Sequence, residues 1–218
     1  LTSLTGLGGL TSTGGDLSIL DNGDLTSLTG LNNLTHIGGS LIIGDWGGGN
    51  PALNSLTGLE ELTSIGGSMS IVDNDSLSSL TGLEGLTSIV GDLEIIVNGS
   101  LTSLTGLEGV NSIGGNLDIY MNDSLTSLTG LEGVNSIAGY LYIGFNDALT
   151  SLTGLEGLTS IVGDLSIGGN DVLASLAGLE NLTTIGGSFF LVIHGMYGSF
   201  GNPALTSLTG LESLTTIG

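Results

Sequence analysis

Seven glutamates recur at matching places along the chain: Glu60, Glu84, Glu108, Glu132, Glu156, Glu180 and Glu212, with five of the six gaps equal to 24 residues. If that interval is one turn of a stacked structure, the carboxylates lie above one another. Turns about 4.8 Å apart give each neighbouring pair a repulsion of roughly 1 kcal/mol even in water. Ca²⁺, a hard cation that takes oxygen ligands, would relieve that repulsion. Glu84, Glu108, Glu132 and Glu156 are the central candidates, and Asp73 and Asp75, on either side of Asn74, offer further oxygens. No EF-hand loop or glycine-aspartate nonapeptide accompanies them, and surface carboxylates can splay into water. The expectation is no obligatory cofactor, with Ca²⁺ as the one ion the pattern admits.

The aromatic side chains suggest recognition. The only tryptophan, Trp46, stands in the glycine-rich segment 44–49, and Met196, Tyr197 and Phe200 stand in a second one, 194–200. Both segments return through Asn-Pro-Ala, and loops of this kind often carry binding. Tyr142 and Phe190, with Ile42, are large side chains at a varied, outward position that elsewhere holds Ser, Asp or Glu, which suggests a contact face; drift at a tolerant position is the other reading. Catalysis is harder to assemble. His36 and His194 have no cysteine or paired histidine beside them, and no G-x-S-x-G elbow occurs, so an enzyme is not expected.

Charge narrows the partners. The 218 residues hold 21 Asp and Glu but no Lys or Arg, for a net charge of −21. Nucleic acid is excluded, because binding it requires cations to displace phosphate counterions. Adhesion to an anionic membrane surface fails for the same reason, and the longest strongly apolar run, residues 189–193, is far shorter than a span of about 20 residues. Cysteine is absent, so neither disulfides nor zinc-thiolate sites are available. A hydrophobic content of 39% is nevertheless enough for a substantial core.

The elements that must position these groups follow from a repeat. Units begin at Leu1, Leu25, Leu53, Leu77, Leu101, Leu125, Leu149, Leu173 and Leu205; six span 24 residues, the second 28, the eighth 32, and the ninth stops after 14. Numbering columns within a unit, apolar residues fall at 1, 4, 7, 10, 13, 17 and 19, as in Leu101, Leu104, Leu107, Val110, Ile113, Leu117 and Ile119. Spacing by three is too regular for an amphipathic helix, and a glycine at column 6 in every unit suits a tight turn. Columns 16 to 20 alternate, so 17 and 19 should face inward and 16, 18 and 20 outward. Column 22 is asparagine: Asn22, Asn74, Asn98, Asn122, Asn146 and Asn170, with Asn50 and Asn202 ending the two insertions. An inward asparagine in every coil reads as a structural ladder that satisfies buried backbone groups.

The stretch L-x-I-x-x-N, as at residues 117–122, resembles the strand and asparagine core of leucine-rich repeats, and the unit at 149–167 is similar to the receptor L-domain family. That resemblance covers nearly the whole chain. It implies an all-β fold, a right-handed parallel β-helix with leucine-rich coils of about 24 residues, eight full coils and a partial ninth. It also makes binding through the strand face an expectation. The chain, residues 1–218, then reads as a single solenoid domain, a segment of a longer array or a fibre subunit. The expected role is a non-enzymatic extracellular or cell-surface scaffold, structural or adhesive, which associates with itself end to end or laterally, or with a glycan or protein partner. Two alternatives stay open: an ice-binding protein using its Thr ladders, and a ligand-binding ectodomain.

Overall fold

A computed structural model describes residues 1–195 and 198–218. The chain winds as a parallel β-solenoid whose coils lie about 24 residues apart. Columns 12 and 13 form one sheet of nine short parallel strands, from Ser12–Thr13 and His36–Ile37 to Thr184–Ile185 and Thr216–Ile217. Columns 17 to 20 form a second sheet of eight, from Leu17–Ile19 through Leu93–Ile96, Leu117–Tyr120, Leu141–Gly144 and Leu165–Gly168 to Phe189–Phe190. Each strand pairs with the equivalent strand of the next coil, Leu117 opposite Leu141 and Ile119 opposite Ile143. The insertions do not disturb this register: His36 still pairs with Ser64, and Thr184 with Thr216. The extra residues are looped out beyond column 19, where the strand has already been paired.

The three-residue spacing has a direct cause. The N–H of Leu107 bonds the carbonyl of Leu104 at 3.2 Å, and that of Val110 bonds Leu107 at 2.9 Å. Consecutive four-residue turns thus share their corner residues, and every corner points inward. The inward columns make one continuous core, and from the second coil to the seventh they are almost entirely shut off from solvent. Leu1, Leu7, Leu208 and Ile217 are exposed instead, because the first and ninth coils have a neighbour on one side only.

Column 6 shows why the turn demands glycine. Gly106 has φ +116, and a Cβ built on it would stand 2.2 Å from the carbonyl oxygen of Leu80 in the coil before. Gly6, with no coil before it, meets nothing within 4 Å. The restriction comes from stacking as well as from the turn.

Two expectations need correction. Column 20 is not uniformly outward: Val72 is buried, and Ile96 and Tyr120 are half-buried. Gly44, which opens the first insertion, stands beside Val72 of the next coil, where a Cβ would meet the Val72 carbonyl. The second insertion is not a plain loop; Ile193–Gly195 and Gly198–Phe200 pair antiparallel as a small hairpin. Ile193 is buried beneath it, over Gly144 and Gly168, where a side chain would collide with the hairpin. No helix among the described residues is long and apolar enough to cross a membrane.

Candidate functional site

Column 22 builds a buried spine. The Asn98 side-chain oxygen accepts the backbone N–H of Asn74 at 3.2 Å and its Nδ2 at 3.4 Å. Asn98 Nδ2 in turn donates to the carbonyls of Ile71 and Ile96, at 2.9 and 3.1 Å. The pattern runs from Asn22 through Asn50, Asn74, Asn98, Asn122 and Asn146 to Asn170 and Asn202. Both amide atoms are therefore engaged, and the spine has nothing left to offer a ligand.

A second ladder, at column 16, has no clear mark in the sequence, because its members differ in type. Asp16 Oδ1 accepts the N–H of Ser40, Ser40 Oγ that of Ser68, and Ser68 Oγ that of Asp92. Asp92 then accepts from Asn116, and Asn116 from Tyr140. What the position requires is an acceptor on a short side chain, which Asp, Asn and Ser all supply. Tyr140 breaks the ladder; its hydroxyl donates instead to the Asp118 carboxylate at 2.9 Å.

The candidate calcium ligands do not converge. Glu84, Glu108, Glu132 and Glu156 each turn back on their own coil, accepting the N–H of Gly82, Gly106, Gly130 and Gly154 at 2.8–2.9 Å. Asn32 does the same for Gly30, so the column caps a turn with any suitable acceptor. Asp73 sits at a left-handed bend (φ 58) and Asp75 is exposed beyond Asn74. Among the described residues, no group of three or more His, Asp or Glu is placed to hold a metal ion.

Hydroxyl ranks are similarly engaged. Thr35, Thr63 and Thr87 donate to the carbonyls of Thr11, Thr35 and Thr63. The Ser and Thr of columns 3 and 5 bond each other, as in Ser55 with Thr57 at 2.6 Å. His36 Nδ1 lies 2.8 Å from Ser64 Oγ on the exposed short-strand sheet, and among the described residues no carboxylate hydrogen-bonds that ring.

The aromatic candidates divide. Trp46 is 66% exposed at the tip of a turn whose base is tied down by a bond from Asp21 N–H to the Gly48 carbonyl. It belongs to the second coil, roughly 19–29 Å from the sixth to eighth at the usual strand spacing. Met196 and Tyr197 lie outside the described residues. Tyr142, Phe190 and Phe200 are brought to one region on the outer side of the eight-strand sheet. Tyr142 packs on Tyr120 at 5.6 Å between centroids, Tyr120 on Phe145 at 5.3 Å, and Phe145 on Phe200 at 4.9 Å.

Two open grooves flank this chain of rings. One, of about 620 Å³, is lined by Phe145, Phe200, Asp147 and Asp171 with glycine and Pro203. The other, of about 260 Å³, is lined by Tyr140, Tyr142, Phe190 and Asp164. Tyr140 and Phe145 also line these grooves, and each is the sole aromatic of its column. Phe145 sits in a left-handed bend (φ 53), and its ring lies over Gly169 in the next coil, where no Cβ obstructs it. Carboxyl groups on this face are held above their ordinary range. Burial lifts Asp118 to about 6, with the charges of Glu94 and Asp92 adding to the shift and the Tyr140 hydrogen bond opposing it. Asp147 is raised by desolvation, then by the charges of Asp171 and Asp123.

No protein-family model, curated protein or solved structure matches the chain.

Proposed function

We propose that the chain is a non-enzymatic, extracellular adhesive scaffold of the leucine-rich repeat and receptor L-domain kind, holding a partner on the outer face of its eight-strand sheet. The observation that carries this reading is the run of rings Tyr142, Tyr120, Phe145 and Phe200, with an open groove on each side. Aromatic side chains half-exposed on a rigid surface offer large contact area at little cost in conformational entropy. The inward leucines and the asparagine spine support the likeness to leucine-rich repeats, and that likeness is the ground for an extracellular placement. Self-association through this face is opposed by charge, since a second copy brings carboxylates and no Lys or Arg. Fibre assembly, as part of this proposal, therefore requires other contacts. The ice-binding alternative is supported less well, because many Thr hydroxyls are engaged within the solenoid.

The test is retention of the chain on arrays of glycans and of peptides, compared with a Tyr142→Ala, Phe200→Ala double variant. Retention lost with the circular dichroism spectrum unchanged supports the reading. Equal retention by both proteins overturns it, and thermal hysteresis in the same samples would favour the ice-binding alternative.

A further inference from the structure

We propose that the two grooves on the sixth to eighth coils bind a cationic peptide segment, seating one lysine or arginine side chain in each. The inference rests on reading this face as a recognition surface, and it names what that surface recognises.

Each groove combines ring and carboxylate. In the larger, Phe145 and Phe200 stand with Asp147 and Asp171, which are exposed on neighbouring coils. In the smaller, Tyr140, Tyr142 and Phe190 stand with Asp164. A cation over an aromatic ring is attracted by the negative face of the ring, and an adjacent carboxylate adds to this. A neutral sugar could stack on the same rings but would leave the charges unanswered. The chain has no Lys or Arg to neutralise them, and its net charge of −21 draws cations toward the whole surface. Asp147 and Asp171 also repel each other, a cost that a bound ammonium or guanidinium group removes.

Spacing favours a peptide over a lone cation. Tyr142 of the smaller groove precedes Phe145 and Asp147 of the larger by three and five residues on one coil. That is a span of roughly 10–17 Å, which an extended peptide covers between basic residues three to five positions apart.

The probe is the blocked peptide acetyl-Lys-Gly-Gly-Gly-Lys-amide, titrated into the intact chain by calorimetry beside its norleucine analogue and cellopentaose. The lysine peptide should bind at least about tenfold more tightly than the analogue and weaken as NaCl rises from about 0.02 to 0.5 M. Asp147→Asn with Asp171→Asn should weaken it about tenfold, whereas Asp75→Asn, in the same column but away from the rings, should leave it unchanged. Equal loss in all these variants would mean attraction to general acidity and would overturn the proposal, as would equal binding of lysine and norleucine peptides or no binding of either. Cellopentaose binding that Phe200→Ala abolishes would keep the recognition face while overturning its cationic ligand.

Discussion

The Tyr140 hydroxyl donates a 2.9 Å hydrogen bond to the Asp118 carboxylate, linking the sixth coil to the fifth across the outer face of the eight-strand sheet. The pair is unusual because both groups ionise and both are held toward their protonated forms. Burial raises Asp118 to about 6, and burial with the Asp118 contact raises Tyr140 as well.

A pH dependence follows for Asp118. Its folded-state value exceeds the ordinary 3.8, so between about pH 4 and 6 the folded chain holds more protons than the unfolded one. Its contribution to stability therefore falls as pH rises through that window and stays reduced above it. Asp118→Asn keeps an acceptor for Tyr140 without the charge. The variant should melt higher than the parent at pH 7, and its advantage should shrink toward pH 4. A melting difference that does not change with pH would show that Asp118 is solvated in the folded state.

Asn98→Ala removes both partners from the spine at once. Asn74 loses the acceptor for its backbone N–H, and the Ile71 carbonyl loses a donor. At about 1–3 kcal/mol for each buried group left unpaired, the loss should be roughly 3 kcal/mol or more. Asn116→Ala, on the half-exposed column-16 ladder, orphans only the Tyr140 N–H and should cost about 1 kcal/mol. Urea midpoints measured side by side check the ranking.

Gly106→Ala and Gly6→Ala contrast a stacked, left-handed turn with an unstacked glycine in the short 3-10 turn Thr5–Leu7, so stacking and backbone strain act together at the first site and neither acts at the second. The first places a Cβ against the Leu80 carbonyl at positive φ, and the second enters open space. Gly106→Ala should cost more than the roughly 1–3 kcal/mol of a strained backbone alone, and Gly6→Ala under about 1 kcal/mol. Similar melting temperatures would mean the coils can part to admit a methyl group.

Val97 occupies a left-handed bend, φ 55, where its branched side chain is poorly tolerated; the same bend holds Asp21, Asp73 and Gly169. Val97→Asn should raise stability by about 1 kcal/mol, because asparagine enters this region more easily. A lower melting temperature would show that packing of the half-buried valine outweighs the strain.

Much of the architecture could be read before any coordinates. Leu101, Leu104, Leu107 and Val110 recur every three residues because each closes a turn begun by the last, and such a pattern needs only the local chain. Columns 17 and 19 alternate with their neighbours because a strand does, so the parallel stacking of 24-residue coils followed from the period. Asn98 and its equivalents stood out because the same letter recurs at that column, where each member donates and accepts at once.

The proposed recognition face was less accessible, for a reason that lies in the stacking. Side chains from different coils meet only when the coils lie about 4.8 Å apart, so Tyr120, Phe145 and Phe200 become neighbours across separations of 25 and 55 residues. The column-16 ladder was hidden because a hydrogen-bond acceptor can be Asp, Asn or Ser, and no single letter marks it. The paired strands Ile193–Gly195 and Gly198–Phe200 cover Gly144 and Gly168, glycines that look like drift until a second layer of chain is seen to need the space. Repetition specified the path of the backbone. The departures from repetition, an aromatic here and a missing Cβ there, acquired meaning only once neighbouring coils were in contact.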